Sequence, residues 1–190
     1  MKFERLAIPE VMLIEPPRFG DARGHLSVTF NRAALAAEGI AFEVAQDNQS
    51  FSQAVGTVRG LHFQTPPHAQ SKLLRVLQGR VYDVAVDIRR GSPTYGTFVG
   101  AELDAESGRQ IWIPAGFAHG FMTLEPDTIV HYKMGAPYAP SHEGGLAWDD
   151  PEIGIDWPLA AEKAVLSERD RLWPSFADYA SPFEYEKLPA

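Results

Sequence analysis

The chain contains no cysteine, which removes disulfides, thiolate zinc sites and cysteine nucleophiles together and fits a reducing, cytoplasmic setting. No stretch approaches the roughly 18 consecutive apolar residues of a transmembrane helix. Residues 1–20 also lack a long apolar core followed by a small-residue cleavage site, so no membrane partner is expected. Basic residues are scarce: 17 Lys and Arg stand against 25 Asp and Glu, a formal net charge of −8. Nucleic acid is excluded as a partner, because phosphate backbones require clustered cations. An anionic small molecule must instead be held by a few cations acting locally. There is no internal repeat and no low-complexity segment.

What is present is ordinary globular composition: 190 residues, 45% of them hydrophobic. That suits one domain spanning 1–190, large enough to bury roughly 70% of its unfolded surface. The 16 Gly and 15 Pro cut the chain into short pieces that mostly read as strands: 24–30, 41–49, 56–63, 71–76, 96–103, 109–114, 119–124 and 128–134. Residues 76–90 read as a hairpin around Gln78-Gly79. One helix is expected from Asn31 to Glu38, capped by Asn31 and stopped at Gly39. The segment 160–190 reads as short helical turns wrapping the outside. Regular short strands with few helices predict an all-β sandwich or barrel.

Strand parity then places side chains. His62 shares a face with Gly60 and Gln64, opposite Leu61 and Phe63. Lys72 lies with Leu74 and Val76. Tyr132 lies with Val130 and Met134, opposite His131 and Lys133. Inside a small barrel, these polar groups converge.

His62, Gln64, Lys72 and Gly79, followed by Pro114-x-Gly116-x-x-His119, resemble the two motifs of the cupin superfamily of jelly rolls. Metal-binding cupins supply two His and a carboxylate from the first motif and a His from the second. Here Gln64 and Lys72 stand in two of those places, and an ammonium repels a divalent cation. The pattern predicts a cupin pocket that holds Lys in place of metal.

The resemblance extends further, through Phe19-Gly20-Asp21-x-Arg23-Gly24, Gln46-Asp47-Asn48 and Arg59-Gly60-Leu61-His62-Phe63-Gln64. It continues through Asp83-Val84-x-Val86-Asp87-Ile88-Arg89, Trp112 to Phe121, Tyr132-Lys133, Tyr138-x-Pro140, Glu143-Gly144 and Leu166-Ser167-x-x-Asp170. In order and spacing these motifs, over about residues 5–175, resemble the dTDP-4-dehydrorhamnose 3,5-epimerase family. The resemblance implies a jelly-roll homodimer that uses no cofactor and acts on dTDP-4-dehydro-6-deoxyglucose, a nucleotide-diphosphate sugar. It implies His62 as base, Asp170 as its orienting partner, Lys72 as the cation at the C4 oxygen and Tyr132 as proton donor from the other face. It further implies substrate binding by Arg23 and Arg59 at the diphosphate, Gln46, Asp47 and Asn48 on the nucleotide side, and Tyr138 stacked on thymine. Glu143 and Arg169 are further implied substrate contacts, and Asp83 and His119 match positions beside the reacting centre that support it or bind substrate. The segment His25-Leu26-Ser27-Val28 departs from the family, which usually has an aromatic residue and a Glu at positions 26 and 28.

Plainer readings stand beside these. Lys72 also reads as a snorkelling edge residue, Tyr132 as a core aromatic, and Tyr138 as a turn residue held by packing. Ser167-x-x-Asp170 reads as a capping box as well, with the carboxylate on backbone donors. Arg23 and Arg59 read equally as surface ion-pair partners. His25, His68, His131 and His142 read as surface or loop residues, and Trp148, Trp157 and Trp173 as packing residues. Two other functions remain open. One is a non-catalytic jelly-roll module that binds a nucleotide sugar or carbohydrate, favoured by the altered 25–28 segment. The other is a metal-dependent cupin, opposed by Lys72 and Gln64.

Overall fold

The computed structural model describes residues 1–185, so the last five positions of the expected C-terminal wrap lie outside the described residues. The strands in chain order are β1 (Lys2–Arg5), β2 (Met12–Glu15), β3 (Arg18–Asp21) and β4 (Gly24–Ser27), then helix α1 (Arg32–Ala37). There follow β5 (Gln46–Ser52), β6 (Val58–Gln64), β7 (Lys72–Gln78), β8 (Arg80–Asp87), β9 (Phe98–Asp104), β10 (Gln110–Ile113), β11 (Phe117–Thr123), β12 (Thr128–Met134) and β13 (Glu143–Gly145). They form an all-β jelly roll. A six-stranded sheet, β1-β2-β10-β7-β12-β5, faces a five-stranded sheet, β13-β6-β11-β8-β9, and β3 and β4 make a separate ribbon.

The core follows from side-chain alternation. Leu74, Val76, Ile111, Ile113 and Val130 of the larger sheet meet Val81, Ala85, Val99, Leu103, Phe117 and Phe121 of the smaller one. The back of the smaller sheet buries Leu61, Phe63, Val84, Val86 and Ala118 under Phe176 and Phe183 of the C-terminal segment. Covered on both faces, β8 and β11 are buried along almost their whole length. The C-terminal segment contains short 3-10 turns at Ala161–Lys163 and Arg169–Arg171. Helix α1 begins as expected, with the Asn31 side chain accepting from the Ala34 N–H at 3.0 Å. It closes the back of the larger sheet with Leu35, against Met12, Ile14 and Trp112.

The hairpin expected around Gln78-Gly79 does not form. β7 pairs with β10 and β12 in one sheet, whereas β8 pairs with β9 and β11 in the other. Gly79, at φ +78°, carries the chain between sheets against Thr128, where a Cβ would come within 2.3 Å of Oγ1. A turn residue between two apolar runs reads the same whether the chain doubles back or crosses over. The strand expected at 41–49 starts only at Gln46, because Ile40 and Phe42 instead pack under α1.

Candidate active site

At one open end of the barrel the apolar core gives way to a cleft of about 500 Å³. The cleft gathers His62, Lys72, Tyr132, Asp170, Arg59, Gln46, Asn48, His119, Tyr138, Glu143 and Arg169. The two sheets contribute opposite walls. β6, β11 and β13 bring His62, His119 and Glu143, while β5, β7 and β12 bring Asn48, Lys72 and Tyr132.

Strict alternation would put Arg59 and His62 on opposite faces, yet both line the cleft. The β6–β11 register shifts by one residue: Arg59 stands opposite Phe121, and His62 opposite His119. This bulge centres on Gly60, at φ +148°, whose missing Cβ would lie 2.5 Å from the Gly120 Cα. Arg59 is then held by the Phe51 carbonyl at 2.9 Å and the Ser52 hydroxyl at 3.2 Å.

His62 Nε2 lies 2.6 Å from Asp170 Oδ1. Burial pushes the Asp170 carboxyl up, but the His62 hydrogen bond and charge, with Ser167 and Trp173, bring it below the ordinary carboxylate range. An ionised Asp170 accepts, so Nε2 is the donor in this bond, and Nδ1 is the nitrogen it leaves unengaged. The Asp170 N–H donates to Ser167 Oγ at 3.1 Å, so Ser167 caps the turn while the carboxylate goes to the imidazole. Trp173 Nε1 donates to the same Oδ1 at 3.3 Å, and its ring meets His62 edge-on. Trp173 is thus an orienting partner of Asp170, a role that its distance in sequence from His62 conceals.

Lys72 is 7% exposed, and its Nζ donates to the His62 carbonyl at 3.2 Å. Burial, partly opposed by Asp83 and Glu143, pulls its ammonium down to about 8. Burial raises the Tyr132 phenol against the opposing charge of Arg59, which keeps it a protonated acid at neutral pH. His119 Nε2 sits 3.0 Å from both oxygens of Asp83. Burial lowers its pKa despite that carboxylate, with Lys72 and His62 adding to the effect.

A family model described as dTDP-4-dehydrorhamnose 3,5-epimerase matches residues 5–178. The chain is 52% identical to an enzyme of that name from Sinorhizobium fredii, over 99% of this chain and 96% of the relative. Identity to the one from Pseudomonas aeruginosa is 51%, over 94% and 97%. The chain belongs to the dTDP-4-dehydrorhamnose 3,5-epimerase family. Its fold superposes, with a TM-score of 0.93 and 40% identity, on dTDP-6-deoxy-D-glucose-3,5-epimerase from Legionella pneumophila solved with dTDP-4-keto-L-rhamnose. That match covers 98% of this chain and 99% of the other.

Three of the implied binding residues of this epimerase-family chain do not line its own cleft. Asp83 is fully buried beneath His119 and supports that ring from behind. Asp47 alternates to the outer face of the sheet, where Lys133 Nζ binds it at 3.0 Å and His131 lies 3.6 Å away. Arg23 sits on the β3–β4 ribbon, outside the cleft and paired with Asp21 at 2.6 Å. Among the described residues, no three His, Asp or Glu side chains are grouped to hold a metal ion. Nor is any described helix long and apolar enough to cross a membrane.

Proposed function

We propose that this chain inverts C3, C5 or both in a dTDP-4-dehydro-6-deoxyhexose by proton transfer through an enolate, without a cofactor. The observation that carries the proposal is that an imidazole and a phenol line one cleft from opposite sheets. His62, fixed by Asp170, stands on one wall, and the half-buried Tyr132 brings a phenolic proton on the other.

A hydrogen on a carbon beside the C4 ketone is acidic only if the enolate is stabilised. His62 removes that proton, and its new positive charge is balanced by the ionised Asp170. The electron pair of the broken C–H bond moves through the C3–C4 or C4–C5 bond onto the C4 oxygen. Lys72, charged at neutral pH and itself almost fully buried, neutralises the oxyanion. Tyr132 then delivers its proton to the opposite face of the same carbon, which inverts it. Exchange with solvent returns His62 to its free-base form and Tyr132 to its phenol, so no net redox change occurs. Arg59 is suited to the diphosphate, with Gln46, Asn48 and Tyr138 at the nucleotide end and Glu143 and Arg169 closing the rim.

The chain is proposed to act as a homodimer. The β3–β4 ribbon is exposed along nearly its whole length, with Phe19 61% and Leu26 64% exposed, and it carries Arg23 away from its own cleft. A second copy would cover these apolar side chains and receive the arginine that its diphosphate site lacks. The reading is tested by following dTDP-4-dehydro-6-deoxyglucose by NMR with His62→Ala and Tyr132→Phe. Both variants should lose inversion by at least about 100-fold, and full activity in either one would overturn its assigned role.

A further inference from the structure

Gln64 follows His62 on the cleft side of β6 and is 3% exposed, yet none of its polar atoms is spent on the cleft. Nε2 donates to the His68 carbonyl at 2.7 Å and to the Pro137 carbonyl at 3.2 Å. Oε1 accepts from the Ala139 N–H at 2.8 Å. The amide therefore grips the chain on both sides of Tyr138. The residue it brackets is itself held twice more: its N–H donates to Gln46 Oε1 at 2.8 Å, and its hydroxyl to Glu143 Oε2 at 2.9 Å. Glu143 is in turn held by Arg169 at 2.7 Å.

We propose that Gln64 is a positioning residue that fixes the Pro137-Tyr138-Ala139 turn, and so sets the Tyr138 ring as the wall of the nucleotide end. Tyr138 is 51% exposed, so neighbouring packing leaves half its surface free, and its place in the cleft depends on these hydrogen bonds. The pattern of partners also makes the side chain specific. Two carbonyls require an NH₂ group and one N–H requires an oxygen, which only an uncharged amide supplies. Gln64 serves binding of the nucleotide, and proton transfer at the sugar is left to His62 and Tyr132. This inference rests on the epimerase reading for the identity of the ligand.

The test uses the full chain, with dTDP binding by calorimetry and steady-state kinetics on the 4-keto sugar nucleotide. Gln64→Leu, Tyr138→Ala and the double variant are compared. Gln64→Leu should raise Kd for dTDP and KM about tenfold while kcat stays within about threefold. In the Tyr138→Ala background the same change should add less than about twofold, because the residue it positions is gone. A fall in kcat without a rise in KM, or a full tenfold effect in that background, overturns the proposal. Should Gln64→Leu fail to fold, Gln64→Glu keeps the shape and the acceptor but turns a carboxylate oxygen toward two carbonyls. Its dTDP affinity should weaken as pH rises and the carboxyl ionises, and an affinity equal to wild type at all pH values refutes the role. Binding of dTDP requires no turnover, so a wild-type chain that binds dTDP without exchanging protons would overturn the epimerase reading and leave the Gln64 result intact.

Discussion

Replacing Lys72 by Met should make the protein more stable and nearly inactive. Burial takes the ammonium from 10.5 to about 8, which corresponds to about 3 kcal/mol by which the charged form opposes folding below pH 8. The substitution also removes the bond to the His62 carbonyl, a loss of about 1 kcal/mol. The variant should therefore gain about 2 kcal/mol at pH 7. The gain depends on pH. Between about 8 and 10.5 the unfolded chain keeps a proton that the folded wild type has released, so wild-type stability rises relative to the variant and its advantage fades. Urea denaturation of both proteins at pH 7 and pH 10 measures the difference. Over the same substitution kcat should fall about 10²–10³-fold, the usual effect of removing an oxyanion donor. Wild-type kcat/KM should also decline above about pH 8 as Lys72 loses its charge. A stability difference that does not change with pH would refute the reasoning, as would a variant with wild-type turnover.

Asp170→Asn should lower kcat about 10²–10⁴-fold with KM within about threefold, because the amide no longer fixes the His62 tautomer; steady-state kinetics within fivefold of wild type would contradict this. Asp87 is fully buried, and Arg89, Ser92 and Thr94 bind it at 2.9, 2.5 and 2.7 Å. Burial raises its carboxyl, but these partners hold it below the usual range. Its stabilisation is thus present above the ordinary carboxylate pKa and lost as pH falls through the lower folded value. Asp87→Asn should cost about 3–5 kcal/mol at pH 7 by urea denaturation, with the gap closing toward acid pH; a cost below 1 kcal/mol would be a contradiction. Light scattering should give twice the chain mass, and a charged substitution at exposed Phe19 or Leu26 should shift it toward the monomer.

Much of the site can be read from alternation alone. His62, Lys72 and Tyr132 each share a face with residues that point into the barrel, and the structure sends all three to one cleft. Asp47 was separable from Gln46 and Asn48 by the same parity, which puts it beside Lys133 on the outer face. Arg59 was not legible that way, because a bulge at Gly60 adds a residue to β6 and breaks the period of two. Gly79 misled for a related reason: the local pattern records a turn, and which sheet receives the next strand is decided by pairing far along the chain. Gln64 stood out as a missing metal ligand, but its true contacts, at His68, Pro137 and Ala139, depend on a loop 73 residues away in sequence. β1 and β2 went unread because an edge pair of 4 residues each carries too little periodicity.

The central claim is that His62 and Tyr132 exchange protons at carbons beside a C4 ketone. The direct measurement is incubation of dTDP-4-dehydro-6-deoxyglucose with the protein in deuterated water, followed by NMR. Deuterium should enter C3, C5 or both at a catalysed rate, and His62→Ala should abolish it at every position. No catalysed deuterium uptake at either carbon, with substrate bound, would contradict the account.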